Sequence, residues 1–436
     1  MLLRVVLENF LSFDEAVQFD MFPNGKRTTF ADHIYPQEIP VLKQAAIYGA
    51  NGSGKSNLIK GVDFIRNTAL SKSFLSSIEL ERYFFKLKKG ARKAPIALAV
   101  EFSMASAYFI YKIEVSLTHI KKEELYRSGR GKESSLLIFR REDKKVELRN
   151  TPSAEVAAAT NELIRKNPLS SLLALNREFP IIKDVDVNKV SDWFEHKLDV
   201  VSIHSDLINL MELMRKQKAL LAFTNNLFRE LDLGIAEIGV KSENLDEWIG
   251  KHASVDENVR DEIESLGPKE AFVAYREHRQ AFSVSIENGM KKVHQFVFNQ
   301  LGKKGYLEEM DIHSQSDGTV RILILIPALY AAIHQEDKTV LIDEIDNGIH
   351  PVLVKNLIRY FATRKAKGQL IFTTHQTGVL DQKQIMRSDE IWFTEKKDGA
   401  TQLYSLNDFK THNSLSIEHG YLEGRYGAIP IIGAIQ

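Results

Sequence analysis

The 436-residue chain contains no cysteine. Disulfide frameworks and thiolate metal sites are therefore excluded. An excess of one charge is missing too: 58 Lys plus Arg stand against 58 Asp plus Glu, a formal net charge of zero. Composition thus gives no bulk electrostatic argument for a nucleic-acid partner. No run of about 18 apolar residues appears and the N-terminus has no leader-like apolar core. The expectation is a soluble, cytoplasmic protein without a membrane partner. The rest is ordinarily globular, with 44% hydrophobic and 27% charged residues. Single cores stop growing near about 250–300 residues, so two lobes, or one domain with a large insertion, are expected.

The most informative stretch is residues 49–56, GANGSGKS. It fits G-x-x-x-x-G-K-[ST], the P-loop. Glycines at Gly49, Gly52 and Gly54 let backbone N–H groups turn inward around phosphate oxygens. Lys55 would reach the β- and γ-phosphates, and Ser56 offers a hydroxyl to Mg²⁺. Ala50, Asn51, Ser53 and Asn57 complete the loop and the first turn of the helix, whose positive dipole end points at the anion. An apolar strand precedes the loop (residues 44–48), and residues 57–66 carry apolar side chains at helical spacing. A chance match is expected in about one chain in a hundred of this length, and the strand-before, helix-after context lowers that further.

A P-loop needs a metal ligand and a water-activating group. Residues 339–344 read TVLIDE, a buried strand ending in two carboxylates, where ligands collect in parallel sheets. Asp343 would hold Mg²⁺ and Glu344 would serve as general base. An apolar strand ending in acidic residues is common by itself; coupled to a P-loop it gains meaning. Residues 369–375, QLIFTTH, form another such strand ending in His375. A lone histidine there is more often structural, but its imidazole can donate to a γ-phosphate. It lies 31 residues past Glu344, leaving room for one crossover helix over residues 351–366, so the two strands should be neighbours. Finally, residues 314–319 (SQSDGT) cap an apolar helix. Pro327 within that helix predicts a kink near Leu323.

These four pieces, in this order, resemble the ATP-binding-cassette ATPases, and more closely the SMC, RecF and OLD-like branch with its split head. Residues 5–13 (VVLENFLSF) look like that branch's first strand and turn. The resemblance covers about the first 130 and last 170 residues. It implies an α/β fold: a P-loop NTPase head of mixed sheet and flanking helices, with an antiparallel β lobe and an insertion. It makes residues 49–56 Walker A and residues 340–344 Walker B, Asp346 a D-loop residue at a subunit interface, and His375 the switch histidine. Ser316 and Gly318 fall on the signature motif, which in the family covers ATP held by a second copy; a head-to-head dimer, or a higher oligomer, is implied. Lys55, Glu344 and His375 are the implied catalytic set, with ATP and Mg²⁺ as cofactors. Two departures stand out: Leu11 sits where relatives often carry a basic residue, and Asp317 where many have Ser or Gly. No Q-loop glutamine is assigned.

The segments around Asp343–Pro351 and the tail GYLEGRYGAIP (residues 420–430) look like the short ATPases of the AAA15/AAA21 group. That group includes ATPase subunits of anti-phage systems such as PARIS and the Rlo type. Only 61 residues follow His375, so the TOPRIM nuclease domain of OLD-like proteins is not expected, and an effector protein encoded nearby would act instead.

The expected organisation is residues 1–150 as the N-terminal half of the head, 151–267 as a mainly helical insertion, and 268–436 as the C-terminal half. Strands are expected near 95–103, 108–116, 123–126, 136–139, 235–240, 271–275 and 293–298, and helices over 154–165, 206–230, 246–251 and 255–265. No heptad persists, so a long coiled coil is not expected. Basic clusters at residues 86–93, 127–132 and 303–305 are candidate DNA contacts, though such clusters are usually solvated loops. The leading expectation is an ATP-driven switch in phage defence; the alternative is a RecF-like DNA-repair or recombination ATPase. A GTPase or nucleotide kinase fits less well, because no N-K-x-D motif is present and His375 has no role in it.

Overall fold

The computed structural model describes residues 1–129, 134–150, 153–201, 207–251, 261, 263, 265, 273–277, 280–380, 385–410 and 416–429. The chain forms two compact units: Met1–Ser202 with Ala331–Ile345 and Ile358–Gln436, and Ile203–Tyr330 with Asp346–Leu357.

The first unit begins with β1 (Leu2–Glu8), whose alternating apolar side chains Leu3, Val5 and Leu7 are fully buried. A turn in which Asn9 (φ 53°) and Leu11 (φ 50°) are left-handed leads to β2 (Val17–Asp20). Then come β3 (Gln44–Gly49), buried throughout, and α1 (Lys55–Leu70). The strands β4 (Ile96–Met104), β5 (Ala107–Val115), β6 (Ile120–Arg127), β7 (Leu136–Glu142) and β8 (Lys145–Leu148) follow as an antiparallel meander. With β1 and β2 they make a seven-stranded sheet of order β8-β7-β6-β5-β4-β1-β2, in which the strands expected near 95–103 and 108–116 are the antiparallel neighbours β4 and β5. The expected basic loop over 127–132 lies partly outside the described residues.

Three helices continue this unit: α2 (Ala154–Lys166), α3 (Leu172–Glu178) and α4 (Val185–Asp192), capped by the side chains of Ser153, Ser171 and Asp184. The buried Glu123 carboxylate accepts from the Leu172 N–H at 2.6 Å and the Leu173 N–H at 3.3 Å, fixing the start of α3 to β6. Trp193 stacks on Phe102 with ring centroids 3.9 Å apart. A strand the sequence reading missed, β9 (Leu198–Val201), follows. The expected break at residue 151 therefore falls inside the first unit, which holds all of these elements.

The second unit contains α5 (Leu207–Lys216) and α6 (Lys218–Glu230). They were expected as one helix; Gln217, at φ −111° and ψ 90°, separates them. Next are β10 (Ile235–Asn244), α7 (Leu245–Lys251), β11 (Val273–Glu277), β12 (Gln280–Glu287), β13 (Met290–Leu301) and β14 (Leu307–Met310). The sheet order is β10-β13-β12-β11, with β14 also on β13. Buried Asn225 ties α6 to β10, donating to the Ile238 carbonyl at 3.0 Å and accepting its N–H at 2.6 Å. Most of the helix expected over 255–265 lies outside the described residues. Helix α8 (Asp317–His334) continues through Pro327. Among the described residues it is the one helix long and apolar enough to cross a membrane, yet Ile322, Leu323, Leu325, Ile326 and Leu329 are fully buried, as in a core helix.

The chain then supplies β15 (Thr339–Ile342), α9 (Pro351–Thr363), β16 (Gln369–Thr373), β17 (Ile391–Lys397), β18 (Ala400–Ser405) and a short α10 (Ile417–Leu422). The second sheet of the first unit has the order β9-β15-β16-β3-β17-β18. All neighbours are parallel except β17 and β18. Leu341, Ile371 and Ala45 lie in register across β15, β16 and β3. The C-terminal ends of these strands therefore reach one edge. The class is α/β, with a mixed sheet, flanking helices and a separate antiparallel sheet, as the sequence led us to expect.

Candidate functional site

The edge where β3 ends is built by the P-loop residues. Gly52 (φ 74°) and Gly54 (φ 113°) are left-handed, and a Cβ on Gly54 would run into the Thr401 side chain. Helix α1 starts at Lys55 with no side-chain cap and no acidic residue in its first turn. Its N-terminal N–H groups and dipole are thus unopposed by a carboxylate from the helix itself. Lys55 is buried and donates to the Gly49 carbonyl at 2.8 Å and the Ala50 carbonyl at 3.1 Å. The loop closes on itself through the Ser53 N–H to the Ala50 carbonyl at 3.1 Å.

Hydroxyl groups that the sequence reading did not single out hold this loop. Ser53 Oγ lies 2.6 Å from Thr394 Oγ1, on β17 beside Gly49. Thr401 Oγ1, on β18, is 2.7 Å from the Ser53 carbonyl and 2.7 Å from Ser12 Oγ. Asn57 Nδ2 donates to Ser12 Oγ at 2.7 Å, and the Thr401 N–H donates to the Ser12 carbonyl at 2.7 Å. A hydroxyl has one proton and a carbonyl can only accept. The proton order is therefore Asn57 to Ser12 to Thr401 to the Ser53 carbonyl. No local signal in the sequence marks Thr394 or Thr401, which read as ordinary strand residues.

Two strands away stand Asp343 and Glu344. The Asp343 N–H donates to the Val201 carbonyl at 3.1 Å. Its carboxylate accepts from Thr373 Oγ1 at 2.7 Å. Glu344 is left-handed (φ 48°), and its N–H donates to the same Thr373 oxygen at 2.7 Å. The two residues after Thr373 are Thr374, whose N–H donates to the Ile47 carbonyl at 3.2 Å, and His375. His375 lines a cavity of about 650 Å³ together with Gly49, Ala50, Asn51 and Ser53. The structure thus places His375 at the mouth of the P-loop. Ser56 is half-buried on the first turn of α1.

The far wall of that cavity comes from the tail, through Tyr421, Leu422 and Ile429. Glu418 accepts from Thr377 Oγ1 at 2.8 Å, and Tyr48 donates to the Gln376 carbonyl at 3.2 Å. Phe393 stacks on Tyr421, with centroids 5.5 Å apart. Burial pushes the Tyr421 hydroxyl up and the Lys396 ammonium down from their usual values. Pro430, the end of the quoted tail, lies outside the described residues.

Ser316, Gly318 and Asp346 belong to the second unit. Ser316 accepts from the Thr319 N–H at 3.2 Å, as a helix cap does. A Cβ on Gly318 would lie 2.8 Å from the Gly348 carbonyl, so this position admits little more than glycine. The Asp346 carbonyl accepts from the Ile349 N–H at 3.1 Å.

Comparison with solved structures finds SMC head domains. One is the Smc head bound to the C-winged helix domain of ScpA: 14% identity, 96% of this chain and 99% of that chain, TM-score 0.49. Another is the SMC head from Thermotoga maritima: 11% identity, 93% of this chain and 98% of that chain, TM-score 0.43. A third is an Smc head with an extended coiled coil, bound to the C-terminal domain of ScpA derived from Pyrococcus furiosus: 13% identity, 98% of each chain, TM-score 0.41. No curated protein sequence matches. A family model does, over residues 45–381, which run from β3 past the P-loop, Asp343, Glu344 and His375. The chain belongs to that family, described as "AAA domain, putative AbiEii toxin, Type IV TA system".

Proposed function

We propose that this chain binds ATP and hydrolyses it, and that the cycle drives a switch between assembled and open states. The observation that carries the reading is the convergence of the P-loop, Asp343–Glu344 and His375 on one edge of one sheet. In this reading the loop N–H groups and Lys55 hold the triphosphate, as do the flanking Ala50, Asn51, Ser53 and Asn57. Glu344 takes a proton from the attacking water, and His375 donates to the γ-phosphate. A hydroxyl (Ser56) and a carboxylate held in place by Thr373 (Asp343) are hard oxygen donors, the set that suits Mg²⁺. When bound, Mg²⁺ would offset negative charge on the phosphates. Ser316, Gly318 and the Asp346 turn would meet nucleotide on a second copy, giving a head-to-head dimer or a larger ring.

The family's toxin–antitoxin description supports a two-component role. We extend the proposal to cytoplasmic phage defence with a separate effector protein. DNA is the weaker partner: Lys86 and Lys89 are exposed, but Lys88 is already paired with Asp14 at 3.0 Å.

Titration of the purified chain with ATP, followed by phosphate release, tests the core of this. Lys55→Ala should weaken binding about 10-fold or more, the loss of one charge-assisted contact of roughly 1.5–3 kcal/mol. Glu344→Gln should bind normally, stall turnover and accumulate the assembled form. Ser316→Arg should bind ATP yet stay monomeric in sedimentation. A chain that takes up no ATP, or a Glu344→Gln variant that turns over normally, defeats the proposal. Co-purification with the neighbouring gene product and phage plating test the defence role; DNA-stimulated turnover that weakens steeply with salt would favour the repair reading instead.

A further inference from the structure

We infer that Thr373 is a positioning residue that sets both acidic groups through one hydroxyl. The inference rests on the ATPase reading above and deepens it. Thr373 ends β16, the strand between the P-loop strand β3 and the carboxylate strand β15. It is fully buried. Its neighbours Leu370, Ile371 and Phe372 are apolar and equally buried, so packing alone would be served by valine, which has the same shape and the same β-branching. A buried hydroxyl costs free energy unless it is hydrogen-bonded. Here it is used twice: the proton goes to Asp343 Oδ1 at 2.7 Å and a lone pair takes the Glu344 N–H at 2.7 Å. The Thr373 carbonyl adds the Ile345 N–H at 3.1 Å.

Two consequences follow. Donation to Oδ1 fixes the rotation of the Asp343 carboxylate, and with it the direction in which that group meets a cation. The pair of consecutive N–H bonds, from Glu344 and Ile345, holds Glu344 at φ 48°. An L-residue in that conformation is strained by its own Cβ, so the turn persists only where its surroundings enforce it. Released from Thr373, the backbone would relax and carry the Glu344 side chain away from its line on the attacking water. Because His375 lies two residues further along the same strand end, one short segment sets three groups relative to the P-loop.

The experiment compares Thr373→Val, Thr373→Ser and Thr373→Ala in the full chain. Three quantities are read: ATP affinity in EDTA, Mn²⁺ affinity of the ATP-loaded protein by electron paramagnetic resonance, and single-turnover hydrolysis. Thr373→Val should keep metal-free ATP affinity within about 2-fold, while Mn²⁺ affinity and turnover each fall about 10- to 100-fold, the range found for groups that orient metal ligands. Thr373→Ser, which keeps the hydroxyl and loses the methyl, should recover most of both. If valine is not tolerated, the serine–alanine pair isolates the same hydroxyl: alanine should show the Mn²⁺ and turnover losses, serine should not. Wild-type Mn²⁺ affinity and turnover in Thr373→Val, or equal losses in serine and alanine, would overturn the inference while leaving the ATPase reading intact. A wild-type chain without ATP uptake overturns that reading first, and this inference with it.

Discussion

Thr401→Val removes one buried oxygen, and the proton relay around the P-loop fixes what the loss should do. Thr401 is 3% exposed, so valine fills its volume without creating a cavity. What disappears is the donor to the Ser53 carbonyl and the acceptor for the Ser12 hydroxyl, each contact being 2.7 Å long. A buried polar group left without a partner costs roughly 1–3 kcal/mol. Ser12 Oγ keeps the Asn57 amide at 2.7 Å, whereas the Ser53 carbonyl, part of the loop backbone, loses the Thr401 hydroxyl that donated to it. About one such penalty should therefore remain, and it acts on the loop's geometry. If binding must restore that geometry, ATP affinity falls by roughly 5- to 150-fold, taking 1.4 kcal/mol per tenfold. Ser12→Ala should cost less, because Thr401 still donates to the Ser53 carbonyl and half-buried Asn57 can reach water. In the double variant the losses should not add, since both substitutions cut one chain. Calorimetric titration with ATP at fixed ionic strength reads all four proteins. Affinity within about 2-fold of wild type in Thr401→Val, or two losses that simply multiply, would refute the relay as a determinant of loop shape.

Other predictions address the scaffold. Trp193→Ala should destabilise the first unit by roughly 3–5 kcal/mol, because a fully buried indole stacked 3.9 Å from Phe102 is lost; Trp193→Phe should recover much of this in urea melts. Replacing Gly54 by alanine forces a left-handed backbone and a clash with Thr401, so ATP titration should show binding at or below the level of Lys55→Ala. In the second unit, burial, reinforced by Arg215, holds the His294 imidazole below its ordinary 6.5, between the hydroxyls of Ser242 and Ser285, each 2.7 Å away. The folded state thus refuses a proton that the unfolded chain accepts. Stability contributed by the neutral ring is present above pH 6.5 and lost as pH falls toward the lower folded value. Thermal melts at pH 7.5 and 5.5, about one unit either side of the ordinary 6.5, should show a steeper decline for wild type than for His294→Gln.

The parts of the site that were legible in the sequence are those whose chemistry is contiguous. Eight adjacent residues carry the P-loop, and the spacing from Glu344 to His375 leaves room for one crossover helix, so the adjacency of β15 and β16 could be read in advance and is observed in register. Strand β9 was missed because four residues with two valines and an aspartate give too short a periodic signal, although they complete the sheet beside Asp343. The helix expected over 206–230 is two helices, and the break could not be read in advance because Gln217, which leaves helical geometry, has no breaker chemistry of its own. Division into units was harder still. Helices α2 to α4 have the same amphipathic pattern as α5 and α6, yet Glu123 caps α3 from a strand about fifty residues earlier. No local pattern announces that pairing.

The hydroxyls raise a more general point about the site. Thr373, Thr394 and Thr401 all sit on strands, where threonine is a favoured residue for its β-branching alone. Their second use cannot be seen until the sheet brings them beside the loop. That accounts for where sequence reasoning stopped: it found the groups proposed to touch nucleotide and missed those that hold them. It also orders the substitutions by what they should separate. Loss of Lys55 or Glu344 removes an acting group, so nucleotide binding should weaken in the first and turnover should stall in the second, and no conservative hydroxyl can restore either. Loss of a threonine hydroxyl leaves every acting group present but less well aimed, so the effects should be rescued by serine wherever the hydroxyl rather than the methyl matters. A serine at 373 or 401 that behaved like valine would show that packing of the methyl against the strand, and not the hydrogen bond, is what these positions supply.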